Sequence, residues 1–380
     1  MTPSGRSAVR LGYIARVRSG DRIGDPVEGV VPVYGAGDLL GFTNQANAEI
    51  GEIVVGRVGS VGSLRLLTSD AWATDNTLVI SFDQGRIDPR YALHVLSQID
   101  VAEITSGTAM PLVAGSQLLK QTVLLPSLQE QRSIADYLDR EITRIDTLIE
   151  EQGRLIELLR ERRQGVVDEA FAQLGSERVQ LRRFITFLTS GSRGWGGYYA
   201  DEGDRFLRIG NLPRANLRIR GDVQFVDLPP GVTEGSRTVL HEGDLLFSIT
   251  AYLGSVAVVD EEWEGAYVSQ HVALCRLDVS RVDPRFMGWF MLTTGGQDQL
   301  NEGAAGGTKM QLALDDVRGL RVPVVPIAQQ ELIAASIEGR TERIDKLIAE
   351  TERFIELSRE RRAALITAAV TGQIDVREVA

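Results

Sequence analysis

The sequence predicts an α+β chain. Two mixed, strand-rich segments are separated by two long antiparallel coiled-coil helices, and the whole is an internal pseudo-twofold repeat. Three observations predict it. "RLIELLRERR" (154–163) returns as "RFIELSRERR" (353–362), inside a longer ungapped match of "IADYLDREITRIDTLIEEQGRLIELLRERR" (134–163) with "IAASIEGRTERIDKLIAETERFIELSRERR" (333–362). Apolar residues in both stretches recur in steps of three and four, as in a coiled-coil seam with charged outer positions. Ahead of each helix, β-branched runs broken by glycine read as strand–turn–strand.

Taken in order, the elements repeat. "VRLGYI" (9–14) is echoed by "VQLRRFI" (179–185). "EIVVGRVGSVGSLRLL" (52–67) and "DLLFSITAYLGSVAVV" (244–259) each predict two strands around a tight turn. "AWATDNTLVISFDQGRIDPRY" (71–91) matches "AYVSQHVALCRLDVSRVDPRF" (266–286) at a constant offset of 195. Asp88 caps a short helix with Pro89 in its first turn, and "DPRFMGWFMLTT" (283–294) is its counterpart. "SGTAMPL" (106–112) pairs with "GGTKMQL" (306–312). Pro126 and Pro326 mark the helix entrances. About 40 residues of helix span roughly 60 Å at 1.5 Å per residue. Such a helix alone leaves its seam wet, so an antiparallel pair is expected, with a globular segment at each end. The expected boundaries are 1–125 and 176–325 for the globular domains, 126–175 for the first helix, and 326–380 for the second helix and tail.

Composition narrows the function. Hydrophobic content of 43% suffices for real cores. No run of 18 apolar residues occurs and the N-terminus lacks a signal-type apolar stretch, so a cytoplasmic location is expected. One cysteine and three scattered histidines make a metal site unexpected, and His94, His241 and His271 read as ordinary surface or core residues. A net charge of −11 counts against nucleic acid binding by bulk charge, although a local basic groove can coexist with acidic flanks. No GxxxxGK[ST] phosphate loop occurs. The nearest approach to a methyltransferase "NPPY" tetrapeptide is "NLPR" (211–214), which lacks the second proline and the aromatic.

The plan resembles the specificity subunit of type I restriction–modification systems over essentially the whole chain. The residues that carry the resemblance are "VYGAGDLLGFTN" (33–44), "GRVGSVG" (56–62), "SGTAMPL", "LLPSLQEQRSIADYLD" (124–139), "RIDTLIEEQ" (144–152), "SQHVALCRL" (269–277), "GGTKMQL", "VPIAQQELIA" (325–334) and "AAVTGQIDV" (368–376). The resemblance implies two target recognition domains, each reading half of a split DNA site, on conserved helices that set the gap and dock two modification subunits. Those subunits carry S-adenosylmethionine and methylate adenine, and a motor-nuclease restriction subunit cuts unmethylated DNA. The chain itself is then non-catalytic and binds no cofactor. Two other readings remain: the specificity subunit of a nuclease-free methyltransferase, and a coiled-coil scaffold with two protein-binding domains.

Side-chain chemistry picks out the candidate DNA-binding residues. Arg57 and Ser60 sit in a flexible glycine turn suited to phosphate or base edge. Arg193, Trp195, Tyr198, Tyr199, Arg205 and Arg208 form the densest mixture of arginine and aromatics, and arginine is the commonest base reader. Thr108, Thr308 and Lys309 lie in the matched "SGTAM" and "GGTKM" loops. "YGAGDLLG" (34–41) suggests a dinucleotide loop, but the adjoining "FTNQANAEIGEIVVG" (42–56) reads as turn and strand rather than helix. Ile145, Leu148, Ile149, Leu155, Ile156 and Arg162 are the candidate spacer and docking residues of the first helix. Ile344, Leu347, Ile348, Phe354, Ile355 and Arg361 are those of the second.

Overall fold

The structure is a computed structural model that describes residues 6–24, 29–100, 104–105, 112–229, 231, 235–250, 252–302 and 311–376. The chain divides into two compact units, Met1–Gly153 with Glu352–Ala380, and Arg154–Thr351. Each unit therefore holds one strand-rich segment together with part of both long helices.

The first unit contains β1 (Ser7–Arg10), β2 (Ala15–Ser19), β3 (Val31–Tyr34), β4 (Leu39–Thr43), β5 (Ile53–Gly56), β6 (Leu64–Leu66), β7 (Trp72–Ala73), β8 (Thr77–Phe82) and β9 (Thr122–Leu125). Its helices are α1 (Pro89–Leu96), α2 (Gly115–Leu118) and the start of α3 (Leu128–Ala172). The strands form a four-stranded sheet in the order β2-β8-β5-β6, a three-stranded sheet β4-β3-β7, and the pair β1-β9.

The second unit contains β10 (Arg178–Gln180), β11 (Ile185–Ser190), β12 (Tyr199–Ala200), β13 (Asp204–Leu207), β14 (Gln224–Val226), β15 (Leu245–Ser248), β16 (Val256–Val258), β17 (Tyr267–Val268), β18 (Val272–Leu277) and β19 (Arg321–Pro323). Its helices are α4 (Pro284–Met291), α5 (Thr294–Glu302), α6 (Leu314–Gly319) and most of α7 (Ile327–Thr371). The sheets are β11-β18-β15-β16, β12-β14-β13-β17 and β10-β19, the plan of the first unit with one strand added. Even the parallel pairing of β3 with β7 returns as β13 with β17.

Local chemistry explains the elements. Burial along β5 and β8 is nearly continuous, so both are interior strands of their sheet. The Asp88 carboxylate accepts from the Arg90 and Tyr91 amides at the start of α1, and Asp283 accepts from the Arg285 amide at the start of α4. "YGAGDLLG" is the turn between antiparallel β3 and β4, closed by the Gly35 amide donating to the Asp38 carbonyl at 3.0 Å, and no helix succeeds it. Helices α3 and α7 each run 45 residues, a little longer than the periodicity predicts.

One apolar cluster in the first unit joins Ile53, Ile80 and Tyr91 to Ile134, Leu138 and Ile142 of α3 and to Ile366 and Val370 of α7. In the second unit Phe247, Phe286 and Met291 pack with Val167 and Phe171 of α3 and Ala334 and Ile337 of α7. The helix pair is thus built into each core, with the two helices running antiparallel within each unit. In the first, Arg6 donates to Glu130 of α3 and to the Ala369 and Val370 carbonyls of α7, while Asp146 lies beside Arg362. In the second, Arg163 meets Asp345 and Glu169 meets Arg340.

Two buried glutamines fix the helix entrances. The Gln131 carbonyl oxygen accepts from the Asp88 amide at 2.8 Å, and its amide donates to the Arg86 and Pro126 carbonyls at 3.0 and 2.9 Å. Gln330 does the same with Asp283, Arg281 and Val325 at 2.9, 3.3 and 2.8 Å. Each latch ties the cap of the short helix to the first turn of the long one.

Candidate nucleic-acid interface

The two glycine turns of the first unit pack on each other. A side chain on Gly56 would collide with the Ala36 and Ser60 carbonyl oxygens, so β5 ends where the 35–38 turn crosses it. The Ser63 hydroxyl donates to the Ala36 carbonyl, and the Arg65 guanidinium lies 4.5 Å over the Tyr34 ring. Ser60 is exposed at the tip and Arg57 is half-buried beneath it. The Arg57 Nε is buried and makes no hydrogen bond among the described residues. The Arg57 backbone bonds to the Asn76 carbonyl at 2.9 Å and accepts from the Val113 amide at 3.2 Å. Three backbone segments meet at this corner. Thr108, like Thr308 and Lys309, lies outside the described residues.

In the second unit the arginine-aromatic stretch divides. Trp195 is 5% exposed and packs on Phe206 and Tyr267 at 4.8 and 5.1 Å between ring centroids. Tyr198 and Tyr199 flank that cluster edge-on and tilted, Tyr198 half-buried and Tyr199 48% exposed. Arg205 bonds the Glu262 carbonyl and lies 3.5 Å from its carboxylate. Arg208 starts a helical turn in which its amide donates to the Asn211 side chain at 2.9 Å. Arg193 is exposed, just after the Ser192–Ser269 bridge that joins its loop to the β17–β18 connection. Of the six, Arg193 and Tyr199 face solvent most openly, and Trp195 anchors the loop that carries them.

The helix residues also sort by exposure. Ile145, Ile156 and Ile355 are buried, while Ile149, Ile344 and Ile348 are half-buried. Leu148 and Phe354 of the first unit are 37% and 44% exposed, and Leu155 and Leu347 of the second are 40% and 50% exposed. Leu357 of the first unit and Leu158 of the second are exposed as well. Arg162 and Arg361 point to solvent, whereas the next residue along each helix makes the contact. Arg163 donates to both Asp345 oxygens at 2.7 and 3.3 Å, and Arg362 lies 3.0 Å from Asp146. The last arginine of each "RERR" thus answers the aspartate of the other copy's "RID".

Sequence reasoning missed a second pair of matched corners. "SGDR" (19–22) recurs as "SGSR" (190–193), and the tetrapeptide was the available signal. Gly20 and Gly191 run so close to the carbonyls at 73–74 and 268–269 that any side chain would collide. Arg22 then reaches Asp75 at 3.0 Å. His94, by contrast, belongs to the core edge: burial lowers its pKa against the opposing pull of Asp139, 3.1 Å away. Burial pushes the Cys275 thiol up to about 12, so it is protonated at neutral pH and no ready nucleophile. Among the described residues no cluster of His, Cys, Asp and Glu is arranged to hold a metal ion, and no helix is long and apolar enough to cross a membrane.

A strand-rich module is repeated on a pair of long helices, and known proteins resemble this chain in sequence and in fold. Residues 8–159 match the family model described as the type I restriction modification DNA specificity domain. A relative, the type I restriction enzyme EcoprrI specificity subunit of Escherichia coli, is 25% identical over 148 residues, which are 37% of this chain and 37% of that protein. A chain solved in a study of complex assembly and conformational transition of the type I R-M system superposes with a TM-score of 0.78. It is 15% identical, with 98% of this chain and 100% of that one covered. The HsdS subunit from Thermoanaerobacter tengcongensis superposes with a TM-score of 0.56 at 16% identity, covering 98% of each chain. Residues 8–159 are thus similar to the type I restriction modification DNA specificity domain, and the fold of the whole chain is that of the HsdS subunit.

Proposed function

We propose that this chain is the non-catalytic specificity subunit of a type I restriction–modification complex and reads a bipartite site in double-stranded DNA, one half with each repeat. The observation that carries this reading is the strand-for-strand recurrence of the sheet plan in both units, each tied to the helix pair by its own buried glutamine. Two similar modules with different surface residues suit two different half-sites, in the way that dimeric readers address paired half-sites. Centres about one helical turn apart, roughly 34–36 Å, are expected on that ground.

The helices are the docking surface in this reading. Uncovered Leu148, Phe354 and Leu357 in one unit, and Leu155, Leu158 and Leu347 in the other, are apolar contacts awaiting partners. Two modification subunits would sit on them, bring S-adenosylmethionine, and in turn recruit the restriction subunits. The cytoplasm, where such complexes meet the chromosome, is the expected location. Long-read methylation mapping in cells carrying the chain with its modification subunits tests the reading. One two-part motif with a fixed gap is the expected result; an uninterrupted motif, or none, overturns it.

A further inference from the structure

We infer that the base edges are read at the "SG-x-R" corner of each repeat, where the strand after the first sheet turn meets the loop before β8 or β18. This inference rests on the two-half-site reading and names the residues that perform it. In the first repeat the corner gathers Arg22, Arg57, Asp75 and Asn76. In the second, the same backbone bonds gather Arg193, Ile249, Gln270 and His271, and Thr250 joins through its side chain on His271.

The equivalence is set by the backbone. The Gly20 amide bonds to the Thr77 carbonyl, and the Gly191 amide to the Val272 carbonyl. The Arg57 amide bonds to the Asn76 carbonyl, and the Ile249 amide to the His271 carbonyl. The Val113 amide donates to the Arg57 carbonyl and the Leu312 amide to the Ile249 carbonyl. Position 22 therefore corresponds to 193, 57 to 249, 75 to 270 and 76 to 271. The serine and glycine where the loops approach and the arginine two residues past that glycine are kept, while the residues at 57, 75 and 76 differ from those at 249, 270 and 271. A shared scaffold with divergent polar side chains is what two readers of different half-sites need. Arginine suits phosphate or guanine, and the amide and carboxylate groups beside it suit adenine and cytosine edges.

The second corner is organised before any ligand arrives. The Thr250 hydroxyl lies 2.6 Å from His271 Nδ1, and the Gln270 amide nitrogen lies 3.1 Å from His271 Nε2. With Gln270 donating to Nε2, a neutral His271 donates from Nδ1 to Thr250. One Gln270 N–H and its carbonyl oxygen are left over, the pair that meets adenine bidentately. Tyr252, 67% exposed, stands on the same loop, and Arg214 donates to the Leu253 carbonyl at 3.3 Å and so adds a second cation near the corner. In the first corner Arg22 and Asp75 are paired in the open, 91% and 44% exposed, so the pair is weak and easily exchanged for DNA.

The test selects full-length chain, alone and with its modification subunits, on DNA with a fixed first half-site and a randomised second one, and then the reverse. Wild-type chain that selects no two-part motif defeats the functional reading itself. Given a motif, the Gln270→Ala/His271→Ala variant is expected to lose discrimination at one or more positions of one half-site only, by about 10- to 100-fold per lost bidentate contact. Asp75→Ala/Asn76→Ala is expected to relax only the other half. Gln270→Asn, which keeps the amide but shortens its reach, guards against misfolding and is expected to weaken the same positions. An unchanged motif, or equal change in both halves, overturns the inference and leaves the two-half-site reading standing.

Discussion

At the scale of the residue, equivalent positions carry unequal loads. Arg163 is 7% exposed, bidentate to Asp345, and 5.8 Å from the Trp289 ring. Arg362 and Asp146 are 42% and 51% exposed, and their contact lacks hydrogen-bond geometry at the Arg362 Nε. Arg163→Ala removes charge-assisted hydrogen bonds from a covered site and is expected to lower unfolding free energy by about 1–3 kcal/mol. Arg362→Ala loses a solvent-screened pair and is expected to cost less than about 1 kcal/mol. Parallel urea titrations of the two variants check the contrast, and equal losses would contradict it. His94 supplies a pH dependence. Burial holds its folded pKa below 6.5, so the unfolded chain binds the extra proton first. Its contribution to stability is complete above about 6.5 and is lost as pH falls toward the folded value. Melting temperatures between pH 7.5 and 5.5 are expected to decline, and His94→Gln is expected to flatten the decline.

At the scale of the element, the proposed function makes the helices the rulers of the gap. The unit boundaries fall at Gly153–Arg154 in α3 and Thr351–Glu352 in α7, between the packed portions of each helix. A seven-residue insertion at both boundaries leaves the Gln131 and Gln330 latches and both aspartate–arginine contacts in place. It turns each helix nearly back to its original face and adds about 10 Å. Methylation mapping is then expected to report the same two half-sites with a gap longer by about three base pairs, at ~3.4 Å per pair. Altered half-site letters would sink the ruler. These helices were legible from the sequence because a 3.6-residue period over 45 positions is a strong signal, reinforced by its recurrence. Which arginine of "RERR" makes the contact was not legible: residues 162 and 163 differ by about 100° around the helix, and only packing tells them apart. The reading corner was harder still. Arg22 meets Asp75 because β2 pairs with β8, Ser19 opposite Leu78, a long-range register that no local pattern announces.

At the scale of the whole molecule, the chain closes on itself twice. Residues from both ends build the first unit, since the Arg6 guanidinium bonds the Glu130 carboxylate at 2.7 Å and also reaches the Ala369 and Val370 carbonyls. The first strand-rich segment is held to the helices by that arginine, by the Gln131 latch, and by the Arg90 guanidinium bonding Asp136 at 2.7 Å. The latch and a further Arg90 contact, with Asp139 at 3.3 Å, have counterparts at matched positions in the second unit, where Gln330 bonds Asp283 and Arg285 lies 3.4 Å from Glu338. A segment joined through such a repeated socket is expected to be exchangeable. Replacing residues 1–125 by the corresponding segment of another family member, with Arg6, Arg86, Asp88 and Arg90 retained, should leave the second corner untouched. Sequencing of the DNA selected by the chimera is expected to show one new half-site, one original half-site and the original gap. A chimera that folds and changes both halves would mean that the two corners are read jointly, and the repeat would then be a relic of duplication rather than the working unit of recognition.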